Sequence, residues 1–343
     1  MRTLVVSDLH LGNRGLRDVL RRPRVLERLL DALADVDRLV LLGDIAELHS
    51  RHPRRQLATA EPVLRAIGQR MGSWPGREVV LVTGNHDAPL IRAWIRAQGA
   101  ALPTARPVEP NATAALARVV SWLGPARVSV SYPGVWLSER TYATHGHYLD
   151  RYLIPDSAIG LPRGRLRHAA PDHLAPVAYE LGRLRIPPHE TTLRRAVQRT
   201  AGSVLRVAAR SFRATVMPRL GPMLMNAGLA SVSAAVLDTQ MRHASLPAFG
   251  RVVTSLGIDA DWVIFGHVHR RGPLGHDRAE LWRAGTAGPR LLNTGSWLYE
   301  PLLVDRADAP HPYWPGGAVL IEPGAEPRSI GLLDGLSHRE LGA

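Results

Sequence analysis

The chain has 343 residues, and its 43 basic residues are all arginine, set against 30 acidic ones for a net charge of +13. It contains no cysteine, which excludes a disulfide framework, a thiolate metal cage and a cysteine nucleophile. A hydrophobic fraction of 45% with 21% charged residues describes a globular chain of one large domain or two ordinary ones, so wholesale disorder is excluded. A guanidinium grips phosphate oxygens in bidentate fashion, so the arginine excess points to an anionic partner; a GC-rich genome that avoids lysine codons gives the same composition.

Arg2 to Val6 reads as a strand with no secretory leader before it, and a cytoplasmic location is the expectation. Apolar residues at 16, 19, 20, 26, 29, 30 and 33 predict a helix over Leu16 to Leu33. A strand is predicted at Leu39 to Leu42, a helix near Glu61 to Met71 and another strand at Val79 to Val82. This alternation predicts an α/β fold with a largely parallel sheet. Arg127 to Tyr132 and Val135 to Thr144 read as strands of a hairpin around Tyr132, Pro133 and Gly134. Further strands are predicted at Asp261 to Phe265, Leu291 to Leu292, Ala318 to Ile321 and Ser329 to Leu332.

Between 151 and 250 the character changes: 14 arginines against 5 acids give +9, leaving +4 for the other 243 residues. The segment opens rich in Pro and Gly and turns helical from Thr191, with Arg195, Arg199, Arg206, Arg210 and Arg213 on one stripe. Leu220 to Leu237 follows as 18 residues without a charge, diluted by Gly, Pro, Asn and Ser, which favours a buried or interfacial helical hairpin over a membrane span. The expected organisation is therefore a core formed by 1–150 and 251–343, interrupted by an Arg-rich, mainly helical insertion at 151–250.

Metal-competent side chains cluster just after the predicted strands, in the runs DLH (8–10), GDIAE (43–47), GNHD (84–87), THGH (144–147) and GHVH (266–269). Residues beyond the carboxyl ends of sheet strands share one rim, where open α/β sheets bind ligands. In an extended strand end, positions i and i+2 point the same way, so Asp8 with His10, and His267 with His269, are each expected to reach a common centre. Glycines before Asp44, Asn85 and His267 permit sharp exits from the strands. Two Asp, one Asn and four His are too many donors for one tetrahedral ion but suit two ions sharing a carboxylate. Such N/O ligation favours Mn, Fe, Co or Zn.

The five ordered runs resemble the blocks of the calcineurin-like metallophosphoesterase superfamily. The resemblance implies a four-layer α-β-β-α sandwich and a dinuclear centre. Asp8, His10, Asp44 and His269 would hold one ion; Asp44, Asn85, His145 and His267 would hold the other. A hydroxide between the ions would attack phosphorus in line, while His86 assists the departing oxygen, an effect worth about a hundred- to ten-thousand-fold. The layout is similar to the UDP-2,3-diacylglucosamine pyrophosphatase-like branch, which implies a phosphodiester or diphosphate, lipid-linked, met at the inner face of a membrane through 191–241. Relatives of that kind often read HGD where this chain has His147.

Asn13, Arg14, His147, Arg195 and Arg199 are candidate substrate contacts, each weighed against a solvated or structural role. The arginine stripe reads equally as a bare solvated helix face, a lipid-facing surface or a cap over the site. Glu47 is either a support for the metal ligands or an N-cap or surface acid, and His49 and His52 read as solvated or as leaning over the site. The rival functions are a nuclease or cyclic-nucleotide phosphodiesterase of the same superfamily, and a non-catalytic scaffold on this fold. Oligomeric state has no signature in the sequence.

Overall fold

A computed structural model describes residues 1–13, 15, 17–48, 53–98, 104–151, 244–304 and 307–342. Strand β1 (Thr3–Val6) pairs in parallel with β2 (Arg38–Leu42), β2 with β3 (Glu78–Val82), and β3 with β5 (Arg127–Tyr132). The two-residue β4 (Arg106–Pro107) closes one edge, and β10 (Gly317–Ile321) and β11 (Arg328–Gly331) extend the other, all antiparallel to their neighbours. The resulting seven-stranded sheet runs β11-β10-β1-β2-β3-β5-β4. A second sheet contains β6 (Gly134–Ser138), β7 (Thr141–Thr144), β8 (Trp262–Phe265) and β9 (Arg290–Asn293) in that order, antiparallel between β6 and β7 and parallel thereafter.

Successive strand residues face opposite sides, and here both sides are apolar. Val5, Val40, Leu42, Val80, Val82 and Val319 of the larger sheet meet Ala143, Ile264 and Leu292 of the smaller one in a single buried seam. The alternate residues, such as Leu4, Val6, Leu39, Leu41, Val79 and Leu81, face outward into a helical layer. That layer contains α1 (Pro23–Ala32), α2 (Pro53–Gly72), the short α3 (Arg92–Ala97) and α4 (Ala114–Leu123). Helix α5 (Leu246–Ser255) covers the outer face of the smaller sheet, where Phe249 stacks on Phe265 of β8 with ring centroids 4.0 Å apart. The expected four-layer α/β architecture is the observed one.

Several elements differ from expectation. The predicted helix over 16–33 is split into a 3-10 turn at Val19–Arg21 and α1 from Pro23, whose missing N–H costs nothing in a first turn and which holds Arg22 extended at φ −89°, ψ 127°. Helix α2 starts well before Glu61 and carries Pro62 inside it. Tyr132, Pro133 and Gly134 do not close a hairpin. They pass the chain from β5 in one sheet to β6 in the other, and the hairpin is β6 with β7. Helix α4 was not expected; Thr113 caps it, its hydroxyl accepting the Leu116 N–H at 3.1 Å.

Arg195, Arg199, the rest of the arginine stripe and the uncharged run Leu220 to Leu237 lie outside the described residues, as do Arg14, His49 and His52. Helix α5 straddles the expected domain boundary at 250. No helix among the described residues is long and apolar enough to cross a membrane.

Candidate metal centre

The parallel strands of both sheets end at one rim. Asp8 lies two residues beyond β1, Asp44 two beyond β2, Asn85 three beyond β3, His145 one beyond β7 and His267 two beyond β8. The loops stay paired past the strands: Asp8 N donates to Gly43 O at 3.0 Å, and His10 N to Asp44 O at 2.8 Å. Five non-glycine residues among those described have left-handed backbone: Asp8 (φ 54°), His10 (45°), Asp44 (51°), His267 (70°) and His269 (58°). Each costs about 1–2 kcal/mol relative to an ordinary conformation. All five belong to the expected ligand set, and backbone strain concentrates at functional sites.

Convergence therefore has a different origin from the one expected. Asp8 with His10, and His267 with His269, are not on extended strand ends; tight left-handed turns aim them. The glycines also divide. Gly43 does adopt φ +87°, but a Cβ at Gly84 would sit 2.3 Å from Asp44 Oδ1, and one at Gly266 would sit 2.2 Å from Ser7 Oγ and 2.5 Å from Asp8 Oδ2. Those two positions require glycine for space, not for dihedral freedom.

Donor atoms gather in three overlapping groups: Asp8, His10 and His269; His10, Asp44 and His86; Asp44, His145 and His267. His267 and His269 thus fall into different groups. Asp8 Oδ1 lies 3.2 Å from His269 Nε2, and His10 Nε2 lies 3.1 Å from His269 Nε2. Asp44 Oδ2 lies 3.3 Å from His145 Nε2, 3.8 Å from His10 Nε2 and 3.9 Å from His86 Nε2, between the two outer groups. Asp8 Oδ1, Asn85 Oδ1 and His145 Nε2 are buried and make no hydrogen bond. A buried polar atom without a hydrogen bond costs about 1–3 kcal/mol, and Asp8 Oδ1 and His145 Nε2 meet only other candidate ligands, His269 and Asp44, an arrangement that fits a cation. The N/O donor set suits a borderline or hard divalent ion.

The other ends of these side chains are tied down. Asp8 Oδ2 accepts from Ser7 Oγ and from His267 N at 2.9 Å, and Asp44 Oδ1 accepts from His86 N at 2.8 Å. His145 Nδ1 donates to Leu42 O at 2.9 Å, which fixes the tautomer and leaves Nε2 facing inward. Glu47, ambiguous in the sequence, reaches two rings: His86 Nδ1 at 2.7 Å and His10 Nδ1 at 3.3 Å.

Ionisation follows from these neighbours. Burial pushes Asp8 up, but the charges of His145 and His269 outweigh it and leave the carboxyl at about 2. Burial likewise pushes Glu47 up, and hydrogen bonds from His10 and His86 overcome it and hold the carboxyl at about 2. Desolvation disfavours the charged form of His145, yet Asp44 and Asp8 lift it to about 10. His86 is raised despite burial, chiefly by its hydrogen bond to Glu47. A divalent ion bound here displaces such protons, so its affinity rises with pH.

Asn13 Oδ1 accepts Gly15 N at 2.9 Å and closes a local turn. His147 is fully buried, its ring centroid 5.5 Å from that of His145 and 6.3 Å from that of His267. Two supports have roles that the sequence does not announce. Asp87 accepts from Ile45 N and Ala46 N at 3.0 Å and from Gly84 N at 3.3 Å, binding the loop after β2 to the loop after β3. Asn293 Nδ2 donates to Gly266 O at 2.7 Å, while its Oδ1 accepts Gly295 N at 2.9 Å. Asp87 sits inside the GNHD run yet serves the backbone of two loops, and Asn293 lies outside every run, so only the fold reveals these roles.

The calcineurin-like phosphoesterase family profile matches residues 1–179, a little over half of the chain. The chain belongs to that family. Among solved structures, the nuclease MPE of Pseudomonas putida aligns at 24% identity over 42% of this chain and 52% of its own, with a TM-score of 0.22. The alignment thus spans about half of that nuclease, an overlap too slight to bear on substrate. No curated protein matches the chain.

Proposed function

We propose a dinuclear centre in which Asp8, His10, Asp44 and His269 hold one divalent ion and Asp44, Asn85, His145 and His267 hold the other, with manganese as the leading candidate. The carrying observation is the convergence of donor atoms from Asp8, His10 and His269 on one side of Asp44 and from His145 and His267 on the other. When bound, the two ions supply Lewis-acid charge to phosphoryl oxygens and acidify a water. Asp44, central among the donor groups, is the shared carboxylate. His86 keeps Nδ1 on Glu47 and directs Nε2 toward the rim, so its protonated form delivers a proton from Nε2 to the leaving oxygen. No side-chain nucleophile is required.

Hydrolysis of bis-p-nitrophenyl phosphate with added Mn(II), compared between wild type and Asp44→Asn, tests the centre. We expect metal-dependent turnover in the wild type and a loss of roughly a hundredfold or more in the variant, the scale of a misplaced reacting group. Equal activity in the variant would remove Asp44 as the bridge, and a wild type without metal-dependent turnover would leave the scaffold reading.

For the substrate, the reading is a phosphodiester or diphosphate carried on a lipid, with 151–250 as an insertion that meets an anionic membrane surface at the inner face. What supports it is sequence: five arginines on one helical stripe beside 18 uncharged residues. Turnover by the full chain of a lipid-linked diphosphate in anionic against neutral vesicles, and of duplex DNA, is to be followed across salt concentrations. Stimulation by anionic vesicles is expected; DNA cleavage that collapses steeply with salt would instead mark a nuclease.

A further inference from the structure

Behind Asp8 stands a pair of hydroxyls. Ser7 Oγ donates to Asp8 Oδ2 and lies 2.5 Å from Thr294 Oγ1, and all three side chains are buried. Thr294 follows β9 in the smaller sheet, whereas Ser7 and Asp8 follow β1 in the larger one. The backbone of Thr294 is held separately, its N–H donating to Phe265 O at 3.0 Å. Its position therefore does not depend on its hydroxyl.

The direction of the relay follows from proton counting. An ionised carboxylate only accepts, so the single Ser7 proton goes to Asp8 Oδ2. Ser7 must then accept from Thr294, whose alternative acceptor, Phe265 O, is farther away at 3.4 Å. With Oδ2 occupied by Ser7 and His267 N, the remaining oxygen, Oδ1, faces His269 Nε2 at 3.2 Å and His10 Nε2 at 3.9 Å with no hydrogen bond of its own.

We propose that Thr294, outside every metal-ligand run, is a positioning residue that acts through Ser7 to fix the rotation of the Asp8 carboxylate and present Oδ1 to a cation. This rests on the reading of Asp8 as a ligand. Groups that orient a metal ligand in this way are typically worth about 10–100-fold in metal affinity. The hydroxyl is the part that matters, because Val at 294 keeps the shape and deletes the donor, while Ser keeps the donor and deletes the methyl.

The test is calorimetric titration of the full chain with Mn(II) in wild type, Asp8→Ala, Ser7→Ala, Thr294→Val, Thr294→Ser and the Ser7→Ala/Thr294→Val double variant, with melting of each chelated protein as the fold control. Asp8→Ala should lose one tight ion. Thr294→Val and Ser7→Ala should each weaken one ion by about 10–100-fold, the double should be no worse than the weaker single, and Thr294→Ser should bind nearly as wild type. Wild-type binding by both hydroxyl deletions, additive losses in the double, or a Thr294→Ser as weak as Thr294→Val overturns the relay. Should Thr294→Val not fold, Ser7→Ala decides, wild-type affinity overturning the proposal. If Asp8→Ala retains both ions, the ligand reading itself falls and the relay falls with it; if Asp8→Ala loses an ion while the hydroxyl deletions do not, the relay alone falls.

Discussion

Gly84→Ala is the sharpest single-atom test of how the site is spaced. The backbone at Gly84 is not left-handed, so alanine carries no dihedral penalty; in open space it would stabilise by about 0.4–1 kcal/mol through the unfolded state. Space is what it lacks. The new Cβ would lie 2.3 Å from Asp44 Oδ1, 2.6 Å from Asp44 N and 2.8 Å from His145 Cδ2, with ordinary contact beginning at 3.4 Å. The Asp44 carboxylate must retreat by about 1.1 Å to reach that contact, stretching its bond to His86 N and carrying Oδ2 away from His145. A misplacement of about 1 Å costs roughly a hundredfold in rate, and the crowding costs about 1–3 kcal/mol of stability. Turnover of bis-p-nitrophenyl phosphate, Mn(II) affinity and urea unfolding are to be measured beside Gly275→Ala, where a Cβ has no neighbour within 4 Å. If Gly84→Ala matches that control in turnover and metal affinity, the claim that Asp44 is held by close packing against this glycine is wrong.

Glu47→Gln should lower kcat and move the alkaline limb of its pH profile to lower pH, because the hydrogen bond and charge of Glu47 help raise His86 and so keep it protonated to higher pH; an unmoved limb would separate Glu47 from the proton delivery. Asp277→Asn should cost about 3–5 kcal/mol in urea unfolding, since it removes the carboxylate charge that the fully buried Arg270 guanidinium meets through two hydrogen bonds at 2.9 and 2.6 Å. The Asp277 carboxyl is lowered, with Arg270 outweighing burial, so in the wild type this contribution is present above about pH 4 and lost as pH falls through the folded-state value; a variant that keeps the same acid profile would contradict the pairing. Phe249→Ala should destabilise by about 3–5 kcal/mol, by removing the ring stacked on Phe265 from a fully buried position, and a change well below 1 kcal/mol would mean that α5 is not clamped there. Chelation should lower the melting temperature and Mn(II) should restore it, as for any ion that binds only the native state, by about 2.7 kcal/mol at a hundred times Kd; an unchanged melt would show that the donor cage does not need the fold.

What the sequence makes legible is chemistry placed at strand ends. Each run places an Asp, Asn or His just beyond a strand, three of them behind a glycine, and that pattern is enough to predict a shared rim. Questions of partner and path are different. Tyr132, Pro133 and Gly134 look like a local turn, and nothing within those residues says that the chain is changing sheets. Helix α4 hides because its polar face is little more than Arg118 and Ser121, too thin for a clear helical period. The left-handed turns at the ligands leave no mark, since Asp and His announce their chemistry and not their φ. Thr294, Asn293 and Asp87 act through hydrogen bonds to backbone or to another hydroxyl, and such residue types are common everywhere in a chain.

The proposed ligands are divided between the two sheets: Asp8, His10, Asp44 and Asn85 follow strands of the larger one, and His145, His267 and His269 follow strands of the smaller. Under the proposed assignment each ion draws on both. The seam between the sheets is built from Val, Ile, Leu and Ala, whose attraction is non-directional and tolerates sliding. Coordination is directional and does not. At this rim bound cations would act as a gauge block between two plates, and exchanging one ion for another of different radius should change the spacing of the plates before it changes any residue.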